Sequence, residues 1–169
     1  FLALTAAIVA RGVVRGIEAA SKILMPLLAV LMIFLAGYSV VEGDVARTVD
    51  FLLRFDPAGF NARSALDALG LGFFSIGVGM GLMIMYAAYG GPEVDLRQVA
   101  VVSVLGDTAI SFLAGLTVFP IVFANGLDPA AGPGLVFVTL PLAFARMPFG
   151  TLVAVAFFVL LLVAALASA

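Results

Sequence analysis

The sequence predicts an all-α, polytopic membrane protein, on three observations. Of 169 residues, 64% are hydrophobic and 11% charged, and the mean hydropathy is +1.29; a soluble domain needs a charged surface that this composition does not supply. The apolar residues fall in uncharged runs of about twenty residues, the length of helix that crosses a hydrocarbon core. Segments rich in Pro, Gly and charge separate those runs, which is connecting-loop chemistry. Lipid offers no water to backbone groups, so apolar runs of this length must satisfy their own hydrogen bonds as helices.

The elements follow in order. Residues 1–10 are uncharged and predict the tail of a first helix, about 1–14. Arg11, Arg15, Glu18 and Lys22 predict a short, mostly basic loop. Residues 23–41 give 19 uncharged residues, about 28 Å of helix, in a span set at 20–42. Residues 42–67 are mixed and polar; VARTVDFLLRF within them reads as a short amphipathic surface helix. The next span, 61–90, holds the uncharged run 68–91 and is expected to break near 75–81. PEVDLRQ is a tight loop. The span 97–118 carries one charge beyond its first turn, Asp107. Residues 119–147 hold Pro120, Asn125, Gly126, Asp128, Pro129, Gly132, Pro133, Gly134 and Pro141, and predict a loop with short hairpin helices. Residues 148–169 form the last span. The sequence opens and closes inside apolar runs, so further N-terminal and C-terminal helices of a longer parent are expected.

Composition also excludes chemistry. There is no cysteine and no histidine, which removes disulfides and the commonest general base and transition-metal ligand. The net charge is −2, so there is no basic face for nucleic acid. No nucleophile–base pair or metal cluster is visible, and an enzyme is not expected. Arg11, Arg15, Lys22 and Arg97 fall on one side of the predicted topology; Arg47, Arg54, Arg63 and Arg146 fall on the other. The count is tied, but the first set lies in the tight loops, where the positive-inside rule is obeyed best. Residues 11–22 and 92–98 are therefore expected in the cytoplasm.

FFSIGVGMG, residues 73–81, lies at the centre of a span and invites three readings. A dinucleotide fingerprint would need a strand–turn–helix setting, which is missing. A helix-contact face, Gly77-x-x-x-Gly81, accounts for two glycines but not for Gly79 or the adjacent Ser75. A discontinuous helix accounts for all of them. Each interior Gly costs about 1 kcal/mol relative to Ala, and unwound backbone at membrane depth survives where it is buried or lines a cavity. Asp107 supports this reading. It lies ten residues beyond Arg97, about 15 Å into the bilayer, where a carboxylate is costly and marks function by default. Ser103 and Ser111 share its helix face at i−4 and i+4. Carboxylate, hydroxyls and free carbonyls at one depth suit a hard cation, and Na⁺ fits better than Zn²⁺ or Mg²⁺.

With RGVVRGIEAASKILMPLL, DTAISFLAGLTVFP and PAAGPGLVFVTLP in order and spacing, these residues resemble the neurotransmitter:sodium symporter family, in particular its bacterial amino-acid:sodium members. Broken helices at midplane sites are that family's own known feature. The resemblance covers essentially the whole chain. It implies a fragment of an inverted-repeat sodium symporter fold, from the end of the family's helix 4 through its helix 8. It also implies roles for single residues. Phe74 matches the aromatic residue that closes over the substrate. Ser75 matches a hydroxyl ligand of the first sodium beside the substrate. Gly77, Val78 and Met80 fall on the unwound stretch lining the substrate pocket. Asp107 falls at a first-sodium ligand that is commonly Asn. Ser111 falls at the position linked to chloride dependence. Ala164, through its carbonyl, and Ser168 match ligands of a second sodium. Gly16 and Pro26 match a Gly-x9-Pro pattern linked to unwinding of the family's helix 5. Two positions depart: Ala167 stands where Thr or Asp usually donates an oxygen, and Gly77 replaces a commoner Ser.

The resemblance implies sodium-coupled symport of an apolar amino acid by alternating access, in a multi-pass protein of the cell inner (plasma) membrane. Two Na⁺ sites are implied in the full-length parent. The fixed charge of Asp107 is expected to take the place of chloride, so that chloride is not required. A channel, or a non-transporting subunit with a structural Na⁺, is the alternative. The expected partners are an amino-acid substrate and the lipid bilayer.

Overall fold

In a computed structural model, residues 1–54, 57–79, 81–91, 93–130, 132 and 134–168 are described. The described chain is helical and separates into two compact units: Phe1–Leu52 with Leu113–Ala169, and Leu53–Phe112.

The first unit opens with α1 (Leu2–Val9). A π-helical turn, Val13–Glu18, runs directly into α2 (Ala19–Glu42). The basic segment 11–22 is therefore largely helix rather than the loop expected from its charges. Arg15, Glu18 and Lys22 have long side chains that carry their charge away from the helix, and Lys22 pairs with Glu18 at 2.7 Å across one turn. Pro26 lies inside α2; its missing N–H leaves the carbonyl of Lys22 without its helical partner.

The amphipathic segment forms α3 (Val45–Leu53). Asp44 accepts the N–H of Arg47 through its carboxylate and the hydroxyl of Thr48 through its carbonyl. The α3 helix packs Phe51 against Phe119 and Phe123, ring centroids 5.0 and 5.3 Å apart. The Arg47 guanidinium lies 5.0 Å over the Phe123 ring.

The helix begun at Leu96 continues through this unit to Ala124, although the sequence reading ended it at 118 on account of Pro120. Proline deletes one helical donor and bends the helix. Here Pro120 is buried, and its carbonyl accepts the Asp44 N–H at 3.0 Å. Gly43 makes this approach possible: a Cβ there would strike the Ser39 carbonyl and Pro120. The helix instead ends at Gly126 (φ 63°). The Leu127 N–H bonds back to Val122 there and Gly126 to Phe123, a Schellman closure.

A π-helical turn, Leu135–Thr139, leads into the short helix Leu140–Phe144, and the last helix is Gly150–Ala167. The core joins α2 to these elements through Leu35, Ile121, Leu140, Phe144, Val153 and Phe157. The Tyr38 hydroxyl donates to the Pro148 carbonyl at 2.5 Å.

The second unit contains α4 (Ala62–Ile76), α5 (Leu82–Tyr89) and the first part of α6 (Leu96–Ala124). Asn61 caps α4 by accepting the Ser64 N–H at 3.0 Å. Arg15–Glu42, Leu96–Ala124 and Gly150–Ala167 are each long and apolar enough to cross a membrane. At 15 and 8 residues, α4 and α5 are too short to cross singly.

Candidate functional site

The site is built where α4 stops. Gly77 follows Ile76 in the left-handed conformation, φ 75° and ψ 25°, which costs an L-residue about 1–2 kcal/mol and costs glycine little. The Val78 N–H bonds to Phe73 at 2.9 Å and the Gly77 N–H to Phe74 at 3.2 Å, so two end carbonyls are satisfied. Among the described residues no backbone N–H donates to the carbonyl of Ser75. Gly79 (φ 88°) and Gly81 (φ 78°) also have positive φ, and α5 begins at Leu82. All three glycines are thus needed for conformation. The helix-contact reading fails, because Gly77 and Gly81 bracket the break instead of sharing one helix.

Directly across from the break, the Ser75 hydroxyl donates to Asp107 Oδ1 at 2.6 Å. The two residues are 32 apart in sequence and on different helices. Asp107 is half-buried on α6. The Ser75 hydroxyl and the Asp107 carboxylate thus bring oxygen donors together, a set suited to a hard monovalent cation. Thr108 does not compete, since its hydroxyl bonds back to Val104 at 2.8 Å. Ser103 and Ser111 stand one turn either side of Asp107, and no hydrogen bond joins either to it. Among the described residues no three carboxylates cluster as a multivalent metal site would require.

The other predicted positions are distributed as follows. Val78 lines an apolar groove of about 500 Å³ with Ile76, Met83, Val99, Ser103 and Val104. Phe74 is 73% exposed and is not among the groove's lining. Gly77 is buried. Met80 lies outside the described residues. Ala164 and Ser168 belong to the first unit, at the end of the last helix, where the Ser168 N–H bonds to the Ala164 carbonyl at 3.1 Å; Ala167 is the final helical residue. Gly16 is buried in the π-helical turn before α2. Ile76, Met83 and Val99 were not singled out from the sequence. The i, i+4 spacing of Val99 with Ser103 was the available signal.

The profile of the Sodium:neurotransmitter symporter family matches residues 1–169. An uncharacterized sodium-dependent transporter, YhdH of Bacillus subtilis, is 40% identical over 169 residues, 100% of this chain and 38% of its own length. The creatine transporter of Torpedo marmorata is 30% identical over 91% of this chain and 27% of its own. The crystal structure of MhsT in complex with L-phenylalanine superimposes with a TM-score of 0.80 at 45% identity, covering 99% of this chain and 38% of that one. This chain thus spans about 38% of the length of YhdH and of MhsT. The fold likeness, the broken helix and the full-length profile match agree: the chain belongs to the sodium:neurotransmitter symporter family.

Proposed function

We propose that a full-length protein containing this chain is a multi-pass symporter of the cell inner (plasma) membrane that couples Na⁺ entry to uptake of an apolar amino acid. The observation that carries this reading is the Ser75–Asp107 contact at 2.6 Å beside the interrupted helix. Na⁺ is cargo, not a resident cofactor. Its first site is assigned to Ser75 and Asp107, and a second to the Ala164 carbonyl and Ser168. Loss of an oxygen at Ala167 makes the second site the weaker one. Sodium favours the outward-open state, and substrate then permits closure, so the ion gradient drives the cycle.

The substrate class rests on Phe74, Gly77, Val78 and Met80, which carry no charge. A charged side chain buried among them would lack a partner. The bound L-phenylalanine of MhsT favours the same class. The test is uptake of labelled leucine or phenylalanine into proteoliposomes under an inward Na⁺ gradient. Concentrative uptake that disappears when choline replaces Na⁺ is expected. Equal uptake in choline, or Na⁺ current without a fixed ratio to substrate, would overturn the reading.

A further inference from the structure

The basic segment between α1 and α2 takes no part in the site above. Arg11 follows α1 and Arg15 lies in the π-helical turn; both line a cavity of about 180 Å³ with Ile8, Ala19, Ala20 and Ile23. Gly16 brings them together. A Cβ on it would overlap the Ile8 carbonyl, so the turn closes directly on the end of α1. Gly12, at φ 79°, makes the reversal. Glu18, the one carboxylate among residues 1–22, is held by Lys22 at 2.7 Å. Among the described residues neither Arg11 nor Arg15 has an ion-pair partner. Two like charges are therefore held beside one cavity without a counter-ion among the described residues. The remaining walls are apolar, and Arg15 is the first residue of Arg15–Glu42, a helix long and apolar enough to cross a membrane. With that helix across a bilayer, the cavity would lie at the level where a lipid headgroup meets its acyl chains.

We propose that Arg11 and Arg15 bind the phosphate of an anionic phospholipid, with the start of an acyl chain against Ile8 and Ile23. Guanidinium groups bind phosphate oxygens in bidentate fashion, and basic pockets at the membrane ends of helices suit such headgroups. Free phosphate has the same charge chemistry but nothing to set against the apolar walls. A bound headgroup would hold the α1 end and the π-turn together, so the lipid stabilises this junction by mass action.

The test uses a full-length protein containing this chain, purified in uncharged detergent, with lipid binding followed by native mass spectrometry. Phosphatidylglycerol should be retained and phosphatidylcholine should not. Arg11→Gln with Arg15→Gln should weaken phosphatidylglycerol binding roughly thirtyfold, from the effect of one basic residue near an anionic surface taken twice. Arg97→Gln, in the first turn of α6, should leave binding unchanged. Arg11→Lys with Arg15→Lys keeps charge and topology but loses the bidentate fork; it should bind phosphatidylglycerol less tightly than the unsubstituted protein and more tightly than the Gln pair, which separates loss of the site from loss of the fold. Equal retention of phosphatidylcholine, unchanged binding in the Gln pair, or displacement of the lipid by millimolar inorganic phosphate would each overturn the proposal. If the Gln pair does not fold, the lipid preference and phosphate competition of the unsubstituted protein decide it.

Discussion

Ser75 and Asp107 show how much one hydrogen bond can specify. The serine comes at the end of a helix and the aspartate from the middle of another, and the 2.6 Å contact sets their oxygens at one depth. Ser75→Ala removes a hydroxyl beside a carboxylate, which should cost about 1–3 kcal/mol of sodium-dependent binding. Ser103→Ala, in the apolar groove, should cost less; equal shifts in sodium dependence for the two variants would take Ser75 out of the site. Asp107 also bears on chloride. Sodium beside a zwitterion leaves excess positive charge, which one nearby anion offsets at low effective dielectric. Chloride at Ser111, one turn away, would sit about 5–6 Å from the Asp107 carboxylate and be repelled. Uptake should therefore persist when gluconate replaces chloride at constant Na⁺, and Asp107→Asn should lose activity or regain part of it only with chloride. A large fall on chloride removal from the unsubstituted protein would give the role to Ser111.

At the scale of elements, the break between α4 and α5 and the passage of α6 through Pro120 have different causes. The break between α4 and α5 needs three left-handed glycines. At Gly79 and Gly81 an added Cβ meets nothing within 4 Å, so alanine there strains backbone alone. Each substitution should destabilise the break by about 1–2 kcal/mol, seen as a lower melting temperature of the sodium- and substrate-bound protein. Unchanged melting for both would mean the left-handed turns are not required. Near Pro120 the constraint is space. Gly43 has φ −106°, which any residue adopts, but a Cβ would strike Ser39 and Pro120. Gly43→Ala should cost about 1–3 kcal/mol through overpacking, measured by thermal unfolding in detergent. The break was legible because glycines in an apolar run have few other uses. The passage of α6 through Pro120 was not legible, since proline's usual effect is to stop a helix. There the Asp44 N–H bonds to the Pro120 carbonyl, and Gly43, without a side chain, leaves room for Pro120.

At the scale of the whole molecule, a membrane protein shows apolar surface outward, and its interior is marked by close approach rather than by hydrophobicity. Leu35, Phe144, Val153 and Phe157 are buried, while Ile33, Leu71, Val102 and Leu162, equally apolar, are exposed; composition does not distinguish the two sets. The substrate prediction belongs here, because it depends on the pocket a complete protein forms. Leucine and phenylalanine should compete with labelled substrate far more strongly than lysine or glutamate, and equal competition by the charged pair would sink the apolar assignment. By itself the sequence determined the helical membrane class and the break at Gly77–Gly81, and it marked Asp107 as a charge inside an apolar run. Each follows from chemistry local to one segment: run length, glycine spacing, or a charge in a place that penalises charge. Only the tertiary structure decided that Ser75 meets Asp107, that helix begins within the basic segment, that Pro120 lies inside a helix, and that Arg11 and Arg15 share a cavity. Those outcomes depend on which distant backbone supplies a donor, or leaves room for one, and pattern along the chain does not encode that.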